Sequence, residues 1–280
     1  GIVDTPDVSL NISREMLQHD RQLKVIANNI EKKIKSELVK LMKDDREKYQ
    51  QFWTAFGMQF KYALMNAYGQ NRDTIRDLLL VWSSKENKLT SLKEYVDRMP
   101  ESQEKIYYVC ADSVEHASKM PQAERVLKAG YEVLYLTVDE DEIVLQMLEN
   151  AYDKSFVSVA SEDALPVTDA EKASVEQAEK DHKALLDFAQ ETLKGEVSKV
   201  RISKILQSGA VCLTAEGPVS LEMEKYFRKM RRDFPMSAQR VLELNPDAPA
   251  FQALCKAYEE DKEKAAAYVE VLYNQALIIA

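Results

Sequence analysis

Six apolar residues, Leu23, Ile26, Ile30, Ile34, Leu38 and Leu41, recur at three- and four-residue intervals, and beyond residue 100 that period gives way to short apolar runs. The first pattern is one stripe along a helix; the second belongs to strands alternating with helices. A chain carrying both must segregate helices from a sheet, which places it in the α+β class, largely helical. The long helix is expected to start at Ser13, a residue type that caps helix N-termini, and to break near 43–45. Helical blocks over 49–68 and 71–84 follow, so the first 95 residues read mainly as packed helices.

SLKEYVDRM (91–99) is a short helix stopped by Pro100. KIYYVCA (105–111) and YEVLYLT (131–137) are strands of the buried type, and FVSVA (156–160) is a third. Helices over 113–120 and 123–130, and one beginning at the acidic run DEDE (139–142), separate them. That order at these lengths gives a small α/β layer with parallel pairing. Residues 161–182 are polar and interrupted by Pro166, and read as an interdomain connection. A helix over 183–194, strands over 196–203 and 210–216, and helices over 220–230, 236–244, 248–260 and 262–280 complete the chain.

The composition excludes several classes. A net charge of −9 argues against nucleic acid as a partner, since phosphate binding needs clustered Lys and Arg; RKMRR (228–232) is a short, solvated helix face. No apolar run approaches the roughly 20 residues that span a bilayer, and no secretory pattern opens the chain. Cys110, Cys212 and Cys255 stand far apart without a CxxC, and His19, His116 and His182 are scattered. That fits reduced thiols in a cytoplasmic protein and gives no metal site. Seven glycines leave no GxGxxG, no GxxxxGK[ST] and no GxSxG, so the chain carries neither common phosphate-cradling loop nor a nucleophile elbow.

GIVDTPDVSLNISREMLQ, IYYVCADS, and VLELNPDAPAF followed by a terminal VEVLYNQALIIA helix together resemble the heat-shock protein 90 family of molecular chaperones, closest to its bacterial HtpG-type members. The resemblance runs essentially end to end. It implies an ATP-driven homodimer built of a nucleotide-binding domain, a middle domain and a C-terminal dimerisation domain. Residue 1 matches an internal position of that plan, so the chain reads as a fragment without the nucleotide-binding domain. On that plan residues 1–95 are the end of the large middle subdomain with a helical connector. Residues 96–160 are the small α/β middle subdomain, 161–182 a connection, and 183–280 the C-terminal dimerisation domain ending in a helix pair. ATP and Mg²⁺ belong to the full-length protein, and neither to the fragment, which should not hydrolyse ATP alone.

Three sets of residues follow. Arg14 lies in the first turn of a helix, where the dipole disfavours a cation; taken alone it is an ordinary surface arginine. The resemblance implies instead that Arg14, with Asn11 and Gln18 beside it, forms a loop reaching the γ-phosphate of ATP held by the absent domain. A guanidinium suits that task, presenting forked donors to phosphate oxygens. Met223, Tyr226, Phe227 and Met230 form an i, i+3, i+4, i+7 stripe, either core packing or an exposed surface for many partners. The resemblance implies client contact. Leu254, Tyr258, Val269, Leu272, Tyr273, Ala276 and Leu277 are too many apolar positions for one small domain to hide easily. They are either an intramolecular core or, as the resemblance implies, half of an isologous four-helix dimer interface.

Trp53 and Trp82 are expected in the core, and DEDE as a solvated helix start rather than a metal site. Two rivals remain: a helical dimeric scaffold without ATP-coupled activity, and a small-molecule enzyme using the 105–160 layer.

Overall fold

The computed structural model describes residues 21–161, 164–166, 168–230 and 237–280, and their architecture is α+β and largely helical. Helices α1 (Arg21–Asp44) and α2 (Arg46–Asn66) pack together across a break at Asp45, whose carboxylate accepts from the Lys48 backbone N–H at 3.0 Å. That bond satisfies one of the first-turn donors that a new helix leaves unpaired. The C-terminal part of the α1 stripe, Leu38 and Leu41, packs onto a core holding Tyr49, Trp53 and Leu64. Its N-terminal part does not, and Ile30 and Ile34 stay exposed among the described residues. Gly57 allows the Trp53 ring to lie against α2, since a Cβ there would sit 2.8 Å from the indole.

The expected helix over 71–84 is a correction. Only α3 (Arg72–Arg76) is helical; LLLVW then runs into strand β1 (Leu80–Ser83), which forms a hairpin with β2 (Lys88–Ser91). Leu78, Leu79, Leu80 and Val81 are all buried. A short apolar run covered on every side has no period to report, and a strand cannot then be told from a buried helix. Ser91 next caps α4 (Leu92–Arg98) in a reciprocal capping box with Glu94, and Pro100 follows its end.

Strands β3 (Lys105–Cys110), β4 (Val133–Leu136), β5 (Asn150–Ala151) and β6 (Lys154–Ser158) complete a six-stranded sheet in the order β2-β1-β4-β3-β6-β5. The β3–β4 and β3–β6 pairs are parallel, as strand–helix–strand order requires, and the flanking pairs are antiparallel. Helices α5 (Val114–Lys119) and α6 (Pro121–Lys128) lie on one side, over Tyr107, Val109, Val133 and Tyr135. Helix α7 (Asp141–Leu148) joins α2 on the other, over Ile106, Tyr108, Leu134 and Leu136. Trp53 is buried and Trp82 half-buried.

Within 161–182, α8 (Asp169–Asp181) is a helix with no buried residue, started by a Thr168–Glu171 capping box. Helix α9 (Lys183–Thr192) leads to a second sheet of β7 (Lys199–Ile202), β8 (Val211–Glu216) and β9 (Gln239–Leu244) in the order β7-β9-β8. The second correction is β9, expected as a helix over 236–244. It is the central strand, parallel to β7 and antiparallel to β8, with Val241, Glu243 and both leucines buried. Burial on both faces again removes the alternation that would mark a strand. Helix α10 (Leu221–Met230) follows β8; α11 (Pro249–Glu260) and α12 (Lys262–Ile279) close the core of this layer. No helix among the described residues is long and apolar enough to cross a membrane.

Candidate functional site

Helix α10 stands apart from the other helices of the C-terminal layer. Tyr226 belongs to none of the hydrophobic clusters, whereas Leu254, Val269, Leu272, Tyr273 and Ala276 of α11 and α12 all sit in one. Leu221, at its first position, packs on that cluster, and the other contacts that hold α10 are mostly polar. Glu224, 3% exposed, accepts from the Ala238 backbone N–H at 3.3 Å and faces Arg228 and Arg240. Lys225 Nζ donates to the Ala280 carbonyl at 2.6 Å, near the end of α12. Both contacts tie α10 to its own layer.

Its apolar stripe turns the other way, onto α7. Met223 is half-buried, its Sδ accepting from Gln146 Nε2 at 3.2 Å. Tyr226 is buried, and Phe227 is half-buried with its ring edge-on to Tyr226, 5.5 Å between centroids. Met230, at the far end, is 67% exposed. The stripe is thus neither plain core nor free surface.

The acidic run 139–142 is not the solvated helix start expected of it; Asp141 and Glu142 are buried. Each of its four carboxylates has a partner. Asp139 pairs with Lys229 of α10, and that bond holds the ammonium above the usual lysine range. Glu140 accepts from the Tyr62 hydroxyl at 3.0 Å, and Asp141 pairs with Lys61 at 2.5 Å, both on α2. Burial pushes the Asp141 carboxyl up in spite of that lysine. Glu142 accepts from Ser220, just before α10, and from the Tyr108 hydroxyl at 3.1 Å; burial pushes its carboxyl up as well. Asp139, Glu142 and Gln146 therefore hold α10 against the first sheet's layer. Periodicity could not find them, because their partners lie 77 to 90 positions away. The only local sign was four acids opening an otherwise apolar helix.

Beside this contact a cleft of about 500 Å³ separates the two layers, lined by Cys110, Gln122 and Glu142 on one side and Arg201, Thr214 and Ser220 on the other. Burial raises the Cys110 thiol well above its ordinary range, so the cleft holds no activated thiolate. No group of three potential metal ligands stands together among the described residues.

The remaining sets fall as follows. Arg14, Asn11 and Gln18 lie outside the described residues. Leu254, Val269, Leu272, Tyr273 and Ala276 are buried inside their own chain, so one small layer does hide them, contrary to the sequence expectation. Tyr258 is half-buried, its hydroxyl donating to the Ala184 carbonyl at 3.2 Å, and Leu277 is 40% exposed. Val271 and Ile278 are the most exposed large apolar residues of α12, at 63% and 81%.

A family model described as Hsp90 protein matches residues 1–280. The chain belongs to the Hsp90 family. Among curated Hsp90 relatives, the chaperone protein HtpG of Bacillus subtilis (strain 168) is 51% identical over 279 residues, and that of Oceanobacillus iheyensis is 50% identical over 279. HtpG of Clostridium botulinum (strain Okra / Type B1) is 49% identical over 280 residues. Each alignment covers 100% of this chain but only 44–45% of the relative, so the chain spans less than half the length of these Hsp90 proteins.

Proposed function

We propose that this chain is the middle and C-terminal part of an HtpG-type chaperone that holds non-native proteins and pairs with a second copy of itself. The observation that carries the reading is α10: an amphipathic helix that touches its own layer's core through Leu221 but keeps the Met223–Met230 stripe outside it, beside an interlayer cleft, with Met230 projecting into solvent. Methionine is flexible and polarizable, which suits a surface that accepts many sequences. On this reading Met223, Tyr226, Phe227 and Met230 meet clients. Met230→Ser tests it, since an exposed side chain can be changed without opening a core. Suppression of aggregation of reduced, unfolded lysozyme by the full chain should fall about two- to fivefold. Unchanged suppression favours the scaffold reading.

For pairing, the intrachain burial of α11 and α12 directs attention to their outer rows. Val271, Leu277 and Ile278, with Tyr258 of α11, would form the contact, through an isologous arrangement in which each helix meets its copy. Val271→Asp with Ile278→Asp places two carboxylates in that contact and leaves the intrachain core intact. The solution mass measured by light scattering should then halve; a mass unaffected by both changes removes α12 from the interface.

ATP and Mg²⁺ are assigned to the part of the protein outside this chain, which has no phosphate-cradling glycine loop of its own. Arg14, with Asn11 and Gln18, would complete the site there by facing the γ-phosphate.

A further inference from the structure

Among the described residues, α10 and the residue before it are held on α7 and its acidic approach by the Asp139–Lys229 ion pair, Ser220 on Glu142, and Gln146 on Met223. The face of α10 that they cover is the face that carries Met223 and the buried Tyr226. We propose that the acidic start of α7 is an autoinhibitory latch, which seats α10 against the first layer and hides most of its apolar stripe until the seat is released. This rests on the reading of α10 as a client-contact helix and adds to it the element that regulates its exposure.

The balance of contacts supports a seat that opens. Among the described residues no cluster of buried apolar side chains spans the α7–α10 junction, and a cleft of about 500 Å³ opens beside it. Lys229 and Asp139 keep 64% and 34% of their side-chain exposure, so their bond competes with water. Lys229 also faces Asp112 and Glu140 across the junction, and both add to its attraction. The tethers through Glu224 and Lys225 run to α10's own layer. Release from α7 therefore leaves the helix attached and turns Met223, Tyr226 and Phe227 towards solvent together with Met230. The exposed Asp139–Lys229 pair on one side and the buried Glu224 on the other make α10 easier to part from α7 than from its own layer.

Charge reversal at Asp139 and Lys229 tests the latch in the full chain, with two readouts. Asp139→Lys should raise hydrogen exchange of the amides of 221–230 and raise capture of reduced, unfolded lysozyme, each about two- to fivefold. That is the range over which one exposed ion pair shifts a two-state equilibrium. The double variant D139K/K229D restores an attractive pair and should return both readouts towards the parent, which a general loss of stability would not do. Unchanged exchange in Asp139→Lys overturns the latch. Raised exchange without raised capture overturns the masking role, provided Met230→Ser still lowers capture in the same assay. If Met230→Ser has no effect there, the client-contact reading beneath the proposal fails with it.

Discussion

Replacing Glu243 with alanine is expected to destabilise the C-terminal layer by about 3–5 kcal/mol, a large share of the roughly 5–15 kcal/mol that holds an ordinary domain folded. Glu243 is fully buried in the central strand β9. Its Oε1 accepts from Arg201 Nη2 at 2.7 Å, Arg201 Nε at 3.2 Å and the Thr214 hydroxyl at 3.0 Å, while Oε2 accepts from Ser203 at 2.6 Å. Thr214 belongs to β8 and Arg201 to β7, with Ser203 next after it, so one carboxylate joins all three strands. Alanine would take from Arg201 the carboxylate that accepts from its Nε and Nη2, leave its Nη1 on Glu216 at 3.1 Å, and strip two buried hydroxyls of their acceptor. The cost comes from stranding those partners more than from the worth of the pair itself. Urea unfolding should therefore rank the variants: Glu243→Ala worst, and Arg201→Met with Glu243→Leu less costly than that single change. The reverse order would show that the pair contributes through attraction rather than by mutual satisfaction.

A larger effect is expected on turnover. In the whole protein, with a nucleotide-binding domain present, Arg14→Ala should lower kcat for ATP roughly 10³-fold, the scale of an arginine that stabilises charge on a transferring phosphoryl group. KM for ATP should move little, because the proposed contact would be made to the phosphate as the bond breaks and not to the bound nucleotide as a whole. Arg14→Lys should recover only part of the loss, since an ammonium cannot present the guanidinium's paired donors. Steady-state turnover checks all three, and an unchanged kcat in Arg14→Ala removes it from the reaction. This expectation rests on LNISREMLQ and its match to the family motif, since Arg14 lies outside the described residues.

Local chemistry made much of the fold readable. The break at Asp45, the capping box from Ser91 to Glu94, and the parallel strands at 105–110, 133–136 and 154–158 all follow from residues within one or two turns of each other. Where strands were missed, at 80–83 and 239–244, the cause was shared: both lie under cover on each face, so alternation vanished. The site divided in the same way. The stripe on α10 was plain from its spacing, but its seat on α7 was not. The acids that make that seat look like any acidic helix start until Lys229 and Ser220 arrive from far along the chain.

The sequence by itself determined the family, the α+β class, most helix ends and the amphipathic character of α10, because propensity, capping and periodicity act over a few residues. Only the tertiary structure decided which apolar faces are spent inside the chain and which remain outside. It placed Val269 and Leu272 within the core, left Val271 and Ile278 in solvent, and buried Tyr226 outside the cluster that holds the other two. Burial depends on which distant surfaces meet, and that is a property of the whole packed chain, not of any segment in it.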